Sequence, residues 1–416
     1  MTLLRSWVES ANNADTNFPL NNLPYGVFAV DDESMPRCGV AIGDMIFDLF
    51  KAEDDGLITV GDEAVFDVPY WNDFMDLGRD AWAALRAQLT AVLSEGVPEL
   101  PDYLVAQSDV RMELPIAVSE YTDFYAGMQH AKNMGAILRG SPDLPANWLH
   151  IPVGYNGRAS SVVVSGTDIH RPNGQMKAPD AAVPSFGPSK RLDIELEMGA
   201  IVGTGCDMGQ PITVDQADDM IFGYVLLNDW SARDIQGWEY QPLGPFQGKA
   251  FGTSISPWIV TAAALEPFRT SVPAREMALL PYLDSTKDGL FDIELNVLMQ
   301  PKGSDKASLL STTNYSRMYY SAAEQLCHHA VGGCGMAAGD LLGSGTISGP
   351  TPEEYGSLME KSWAGREPFT LDTGEERTFI EDGDTLTLTG AAKGDGYKIG
   401  FGACVGTILP AKSFPV

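Results

Sequence analysis

Beyond residue 118 the chain breaks into short apolar runs separated by Gly, Pro and Asn, and this pattern narrows the fold more than any other feature. The runs at 161–165, 192–202, 220–228, 293–299, 385–388 and 399–409 have strand length. No regular helical crossovers lie between them. That argues against a doubly wound parallel sheet and predicts a mostly antiparallel β-domain with a few helices. Helices are expected over 126–138 and 321–329. No run approaches the roughly 20 apolar residues that span a membrane.

A chain of 416 residues exceeds the usual size of one hydrophobic core. The polar, Pro-bounded stretch 98–115 marks a boundary near residue 118, dividing the chain into 1–118 and 119–416. In the smaller part, Val40-Ala-Ile42 and Met45-Ile-Phe47 flank Gly43-Asp44, a dipeptide suited to a tight hairpin. Trp82, Leu85, Leu89 and Val92 recur at helical spacing and predict an amphipathic helix over 79–93.

The balance of 27 basic against 56 acidic residues, a net of −29, disfavours nucleic acid and anionic membrane surfaces as partners. The first residues lack an apolar stretch of signal-peptide length, so a cytoplasmic protein is expected. The five cysteines are odd in number and form no C-x-x-C, which reads as reduced packing thiols.

The segment Leu192-Asp-Ile-Glu-Leu-Glu-Met198 alternates apolar and acidic side chains. As a strand it would place Asp193, Glu195 and Glu197 on one face, neighbours about 6.5–7 Å apart. Alone, such alternation also describes a solvated strand face. Asp229, however, ends the apolar run 221–227, where a carboxylate is not on a casual surface. Two like charges about 4 Å apart cost on the order of 4 kcal/mol at an effective dielectric of about 20, so converging acids call for a cation. Oxygen-only ligands suit Ca²⁺ or Mg²⁺. No His/Cys cluster favours zinc, since His328 and His329 are adjacent and would face different ways on a helix. Asp123 reads locally as a helix cap and His130 as a hydrogen-bonded packing residue. Spacing alone does not bring Asp123, Glu195, Glu197 and Asp229 to one point.

Several motifs resemble the full-length, two-domain form of the fumarylacetoacetate hydrolase family. They are Tyr121-Thr-Asp-Phe-Tyr125, the stretch 147–161, Asn228-Asp-Trp-Ser-Ala-Arg-Asp-Ile-Gln236, Pro242-Leu-Gly-Pro-Phe246 and Gly345-Thr-Ile-Ser-Gly-Pro350. Leu23-Pro-Tyr-Gly-Val27 and the stretch 396–402 extend the likeness over nearly the whole chain, in order. The resemblance implies a mainly β fold with some α: a small SH3-like N-terminal β-barrel and a larger β-rich catalytic domain, usually in a homodimer. It implies hydrolysis of the carbon–carbon bond of 4-fumarylacetoacetate to fumarate and acetoacetate, the last step of tyrosine and phenylalanine catabolism. It implies a divalent cation, Ca²⁺ or Mg²⁺ with Mn²⁺ as an alternative, on Asp123, Glu195, Glu197 and Asp229. His130 matches the general base and Glu360 the acid that orients it. Arg233, Gln236 and Lys249 match donors to developing negative charge. Tyr125, Arg139, Tyr155, Gln236, Tyr240 and Thr346 match substrate contacts. Lys249 and Thr253 match a second cation site that shares Asp229.

These residue types suit the chemistry. An imidazole backed by a carboxylate can take a proton from water near neutral pH, and fixed donors can hold the oxyanion that follows. The segment 126–128 departs from the serine- and arginine-bearing form of animal members, and the insertions at 56–61 and 284–289 are unfamiliar, which bears on loop shape and substrate selection. Two rival readings are an acylpyruvate hydrolase or oxaloacetate decarboxylase of the same superfamily, and a non-catalytic metal-binding scaffold. The stretch 23–27 argues against the first, and intact His130, Glu360 and Lys249 against the second.

Overall fold

The computed structural model describes residues 2–61 and 63–414. Near the N-terminus, five short strands pair antiparallel in the order Leu104–Ala106, Met45–Asp48, Arg37–Ile42, Tyr25–Ala29, Arg111–Glu113. The last two strands in sequence lie at opposite edges, joined by the 3₁₀ turn Gln107–Asp109. This is the strand order of an SH3-like barrel. Ile42 pairs with Met45, so Gly43 and Asp44 form the two-residue turn that the dipeptide predicts. Gly43 takes φ 59°, where a side chain would be strained. The helix Arg79–Leu93 buries Leu85, Leu89 and Leu93 along one stripe.

The larger part is built on a mixed sheet. Its order is Gly154–Asn156, Tyr121–Phe124, Leu341–Gly343, Leu196–Val202, Ile221–Asp229, Thr253–Ile255, Val162–Val164, with Val260–Thr261 also pairing to the Ile221–Asp229 strand. A second sheet runs Ser308–Asn314, Glu294–Gln300, Thr385–Lys393, Lys398–Leu409, Ile169–His170. Its strands Glu294–Gln300 and Thr385–Lys393 alternate buried and less buried residues, as two-faced strands do.

The central strands behave differently, and the alternating segment 192–198 is buried on both faces instead of presenting a solvated one. Leu196–Val202 and Ile221–Asp229 are buried at every position, because the central sheet is covered on both faces. Tyr224 and Leu226 pack with Leu388 and Phe401 of the second sheet. Val225 and Leu227 pack with Val27, Trp71 and Phe74 of the N-terminal part. Glu195 and Glu197 therefore lie in no solvated face. The expected strand 192–202 is also interrupted, since Leu192–Asp193 pairs separately with Ser231–Ala232.

Helices form at Met128–Arg139 and Ala322–Ala330, each within two residues of expectation. Ser321 and Glu324 cap the second reciprocally. On that helix His328 bonds the Tyr282 hydroxyl and His329 the Thr122 hydroxyl, so the two rings do face apart.

Phe222 joins the two parts: its ring lies 5.4 Å from Tyr25, 5.0 Å from Trp82 and 6.1 Å from Phe74. Replacing Phe222 by Ala is expected to cost about 3–5 kcal/mol of stability, read as a lower urea midpoint. An unchanged midpoint would show that this contact does not join the two parts.

Candidate metal centre and active site

Three strands and their ends aim four carboxylates at one point. Gly343 pairs with Asp123 on the strand Tyr121–Phe124. Glu197 sits across from Leu227, and the amide of Asp229 bonds the carbonyl of Glu195 at 3.2 Å. One ligand oxygen from each of Asp123, Glu195, Glu197 and Asp229 lies within 4.8 Å of the others, all buried. Asp123 thus sits within a strand and does not cap the following helix, whose N-cap is Gly127. A Cβ on Gly343 would meet Glu197 Oε2 at 2.9 Å and Asp123 Oδ1 at 3.0 Å, so the absence of a side chain there keeps the cradle open.

The charges in this cradle do not balance by themselves. At separations of at most 4.8 Å, each pair of ionised acids would repel by at least about 3.5 kcal/mol at an effective dielectric of about 20. Lys249 reaches Glu195 and Asp229, and Arg233 reaches Glu195. An ammonium donates and does not ligate, so the Lys249 side chain serves as counter-charge. Burial, and then the neighbouring acids, push Asp123 and Glu197 well above the usual carboxylate range. Burial also raises Asp229, opposed by Lys249. Glu195 is held low: burial opposes ionisation, but Lys249 and Arg233 outweigh it. Among the described residues, Asp123 Oδ1, Glu197 Oε1 and Asp229 Oδ1 are buried with no hydrogen-bond partner. Orphaned acceptors on converging acids fit a hard divalent ion, which would satisfy all three.

Beside the acids stands His130, whose Nε2 lies 3.9 Å from Glu195 Oε1. Its Nδ1 meets Glu360 Oε2 at 2.7 Å. Glu360 is buried, yet His130 and then donors on Asn133 and Ser357 hold it below the usual range. Asn133 donates at 2.8 Å, Ser357 at 2.8 Å and Ser348 at 2.9 Å. A fully bonded acceptor of this kind fixes the ring and presents Nε2 to the acids.

Arg233 does not pair with its neighbour Asp234, which instead accepts from Ser189 and the amide of Lys190. Arg233 Nε donates to Asp193 at 2.8 Å, and one terminal nitrogen to Glu195 and Gln236. The other terminal nitrogen is buried and has no partner among the described residues. Asp193 also accepts the amides of Leu358 and Met359 at 2.7 and 2.9 Å, at the start of the short helix Leu358–Lys361 that carries Glu360. One buried acid thus ties the guanidinium to the backbone that positions Glu360.

Tyr125 lies edge-on to the His130 ring at 5.5 Å. Tyr155 reaches Asp229 at 3.4 Å, Thr253 stands opposite Asp229 in register, and Thr346 Oγ1 is buried with no partner among the described residues. Arg139 and Tyr240 are not gathered in. Both are exposed, and Arg139 bonds the carbonyl of Asp143. Sequence reasoning missed Asp193, Asn133, Ser348 and Ser357 as supports. Asn133 lies one helical turn after His130, and Ser357-Leu-Met-Glu360 is a capping pattern, so both left a signal.

Because Asp123 and Glu197 hold protons tightly when no cation neutralises them, cation loading is expected to release protons and to weaken as pH falls. Calorimetric titration with Mg²⁺ in two buffers of different ionisation enthalpy checks this; identical heats would mean no proton is released.

A model of the fumarylacetoacetate hydrolase C-terminal domain matches residues 120–409, and one of the fumarylacetoacetase N-terminal domain matches residues 21–115. The chain is 48% identical over 422 residues to the fumarylacetoacetase of Arabidopsis thaliana, spanning 99% of this chain and 100% of that protein. It is 48% identical over 407 residues to the human fumarylacetoacetase, spanning 95% and 97%. A solved fumarylacetoacetate hydrolase from Exiguobacterium antarcticum shares the fold at a TM-score of 0.53 and 17% identity, over 94% of this chain and 100% of that one. Near-complete coverage at such identity, with the acids converging as described, leaves one family: the chain belongs to the fumarylacetoacetate hydrolases.

Proposed function

We propose that this chain hydrolyses 4-fumarylacetoacetate to fumarate and acetoacetate, closing tyrosine and phenylalanine breakdown. The observation that carries the reading is the meeting of the His130–Glu360 pair with the four-acid cluster at Glu195, beside an unpartnered Arg233 nitrogen. The fumarylacetoacetases to which the chain is similar over nearly its full length support the substrate.

Asp123, Glu195, Glu197 and Asp229 would hold Ca²⁺ or Mg²⁺, with Mn²⁺ also suited to an all-oxygen set. When bound, the ion supplies positive charge that polarises the diketone oxygens. Asp229 and Thr253 would contribute to a second cation position, with Lys249 beside it.

Glu360 accepts the Nδ1 proton of His130, which leaves Nε2 to take a proton from water. The water oxygen forms a bond to the attacked carbonyl carbon, creating a tetrahedral oxyanion. Arg233, Gln236 and Lys249 stabilise that charge, a role worth about 3–4 kcal/mol per donor where measured. The tetrahedral centre collapses to the fumarate carboxyl as the carbon–carbon bond breaks, its electron pair leaves on the acetoacetate fragment as an enolate, and the proton held at Nε2 moves to that carbon. Tyr125, Tyr155, Gln236 and Thr346 would grip the substrate, joined by Arg139 and Tyr240 only if these exposed side chains turn toward it on binding.

The division at residue 118 belongs to the same proposal, as do a homodimer and a cytoplasmic location. Leu243 and Phe246 are exposed apolar side chains of the kind a second copy would cover. Three of five free cysteines are buried, which suits a reducing compartment. Among the described residues no helix is long and apolar enough to cross a membrane.

Consumption of fumarylacetoacetate, followed by ultraviolet absorbance, tests the reading. Chelation is expected to abolish turnover, and His130→Ala to lower it at least about a hundredfold while cation binding persists. Persistent turnover in His130→Ala would overturn the assigned base.

A further inference from the structure

At the end of the strand Ile221–Asp229 that lies farthest from Asp229, a cleft of about 750 Å³ opens beside Ile221 and Phe222, between the helix Arg79–Leu93 and the larger part. Its wall is aromatic and apolar: Trp82 lies edge-on to Phe222, Phe222 stacks on Tyr25, and Pro267 lines it as well. Cavities of this size that combine apolar walls with a few polar groups are where small organic ligands bind.

Two polar groups stand out in that wall. Arg86 gives one N–H each to the carbonyls of Asn21 and Asn22, at 2.6 and 2.8 Å. Among the described residues no carboxylate pairs with it. Burial pulls it below the usual guanidinium range, opposed only by Tyr25. The other charges of the cleft are already spent on one another: Arg269 holds Asp218 at 3.0 Å and Glu266 at 2.9 Å, and Arg79 pairs with Asp219. In a chain of net charge −29, a half-buried cation with no counter-anion is conspicuous. Tyr25 is 1% exposed and lines the same cleft, and among the described residues its hydroxyl has no hydrogen-bond partner. Burial pushes that phenol up to about 12, so it stays a neutral donor.

We propose that this cleft is a binding site for an aromatic carboxylate, separate from the catalytic centre. The ring would lie against Trp82 and Phe222, and the carboxylate would take the remaining N–H donors of Arg86 and the hydroxyl of Tyr25. Arg–carboxylate pairing supplies charge-assisted bonds where none exists now, and the aromatic wall selects a flat, apolar body.

The test is calorimetric titration of the full-length, Mg²⁺-loaded protein with 2-naphthoate and with its neutral counterpart 2-naphthamide. The acid is expected to bind at one site per chain, at least about tenfold tighter than the amide. Arg86→Gln is expected to weaken the acid about tenfold, and Tyr25→Phe about threefold, with little change for the amide. Should Arg86→Gln fail to melt cooperatively, Tyr25→Phe alone decides, since it keeps the ring and removes only the hydroxyl. Equal affinity for acid and amide, an acid affinity unmoved by these substitutions, or no binding up to about 10 mM would each overturn the proposal.

Discussion

Burying four carboxylates around one point is the constraint that the rest of the molecule serves. Unpaired charge in a covered sheet is costly, and Lys249 and Arg233 offset only part of it. Three acid oxygens are left with no partner among the described residues. A protein can keep such an arrangement only if the surrounding packing holds the acids in place. Here the two covering layers do so, one drawn from the N-terminal part and one from the second sheet.

That packing also explains why the catalytic groups come from distant stretches of chain. Asp123 and the Leu341–Gly343 strand are parallel neighbours, while Glu197 and Asp229 lie on or beside the antiparallel pair at the centre. His130 arrives on the helix that follows Asp123, and Glu360 on a short helix whose first amides are held by Asp193. Asp193 bonds Arg233 as well. The orientation of the imidazole and the placement of the guanidinium are therefore coupled through one buried acid. Breaking such a network by removing one partner leaves the others uncompensated.

Much of this was legible before any coordinates. The helix Arg79–Leu93, the turn at Gly43-Asp44 and the strand-length runs beyond residue 118 follow from local period and turn chemistry, which depend on near neighbours. The alternation at Asp193, Glu195 and Glu197 was visible too, but its burial was not. Period two says which residues share a face; it does not say whether another layer covers that face. Asp123 misled in the same way, since a carboxylate just ahead of a helix looks like a cap until the strand before it is paired. The gathering of the four acids was reachable only through family likeness, because strand order is set by long-range pairing. Arg139 and Tyr240, which that likeness placed against substrate, stand exposed.

The most direct measurement is anomalous diffraction from crystals of the protein equilibrated with Mn²⁺. A single strong peak is expected between Asp123, Glu195, Glu197 and Asp229, about 2.0–2.6 Å from an oxygen of each. A map with no peak among these acids at saturating Mn²⁺, or with Mn²⁺ bound only elsewhere, would contradict the view that they converge to hold a cation.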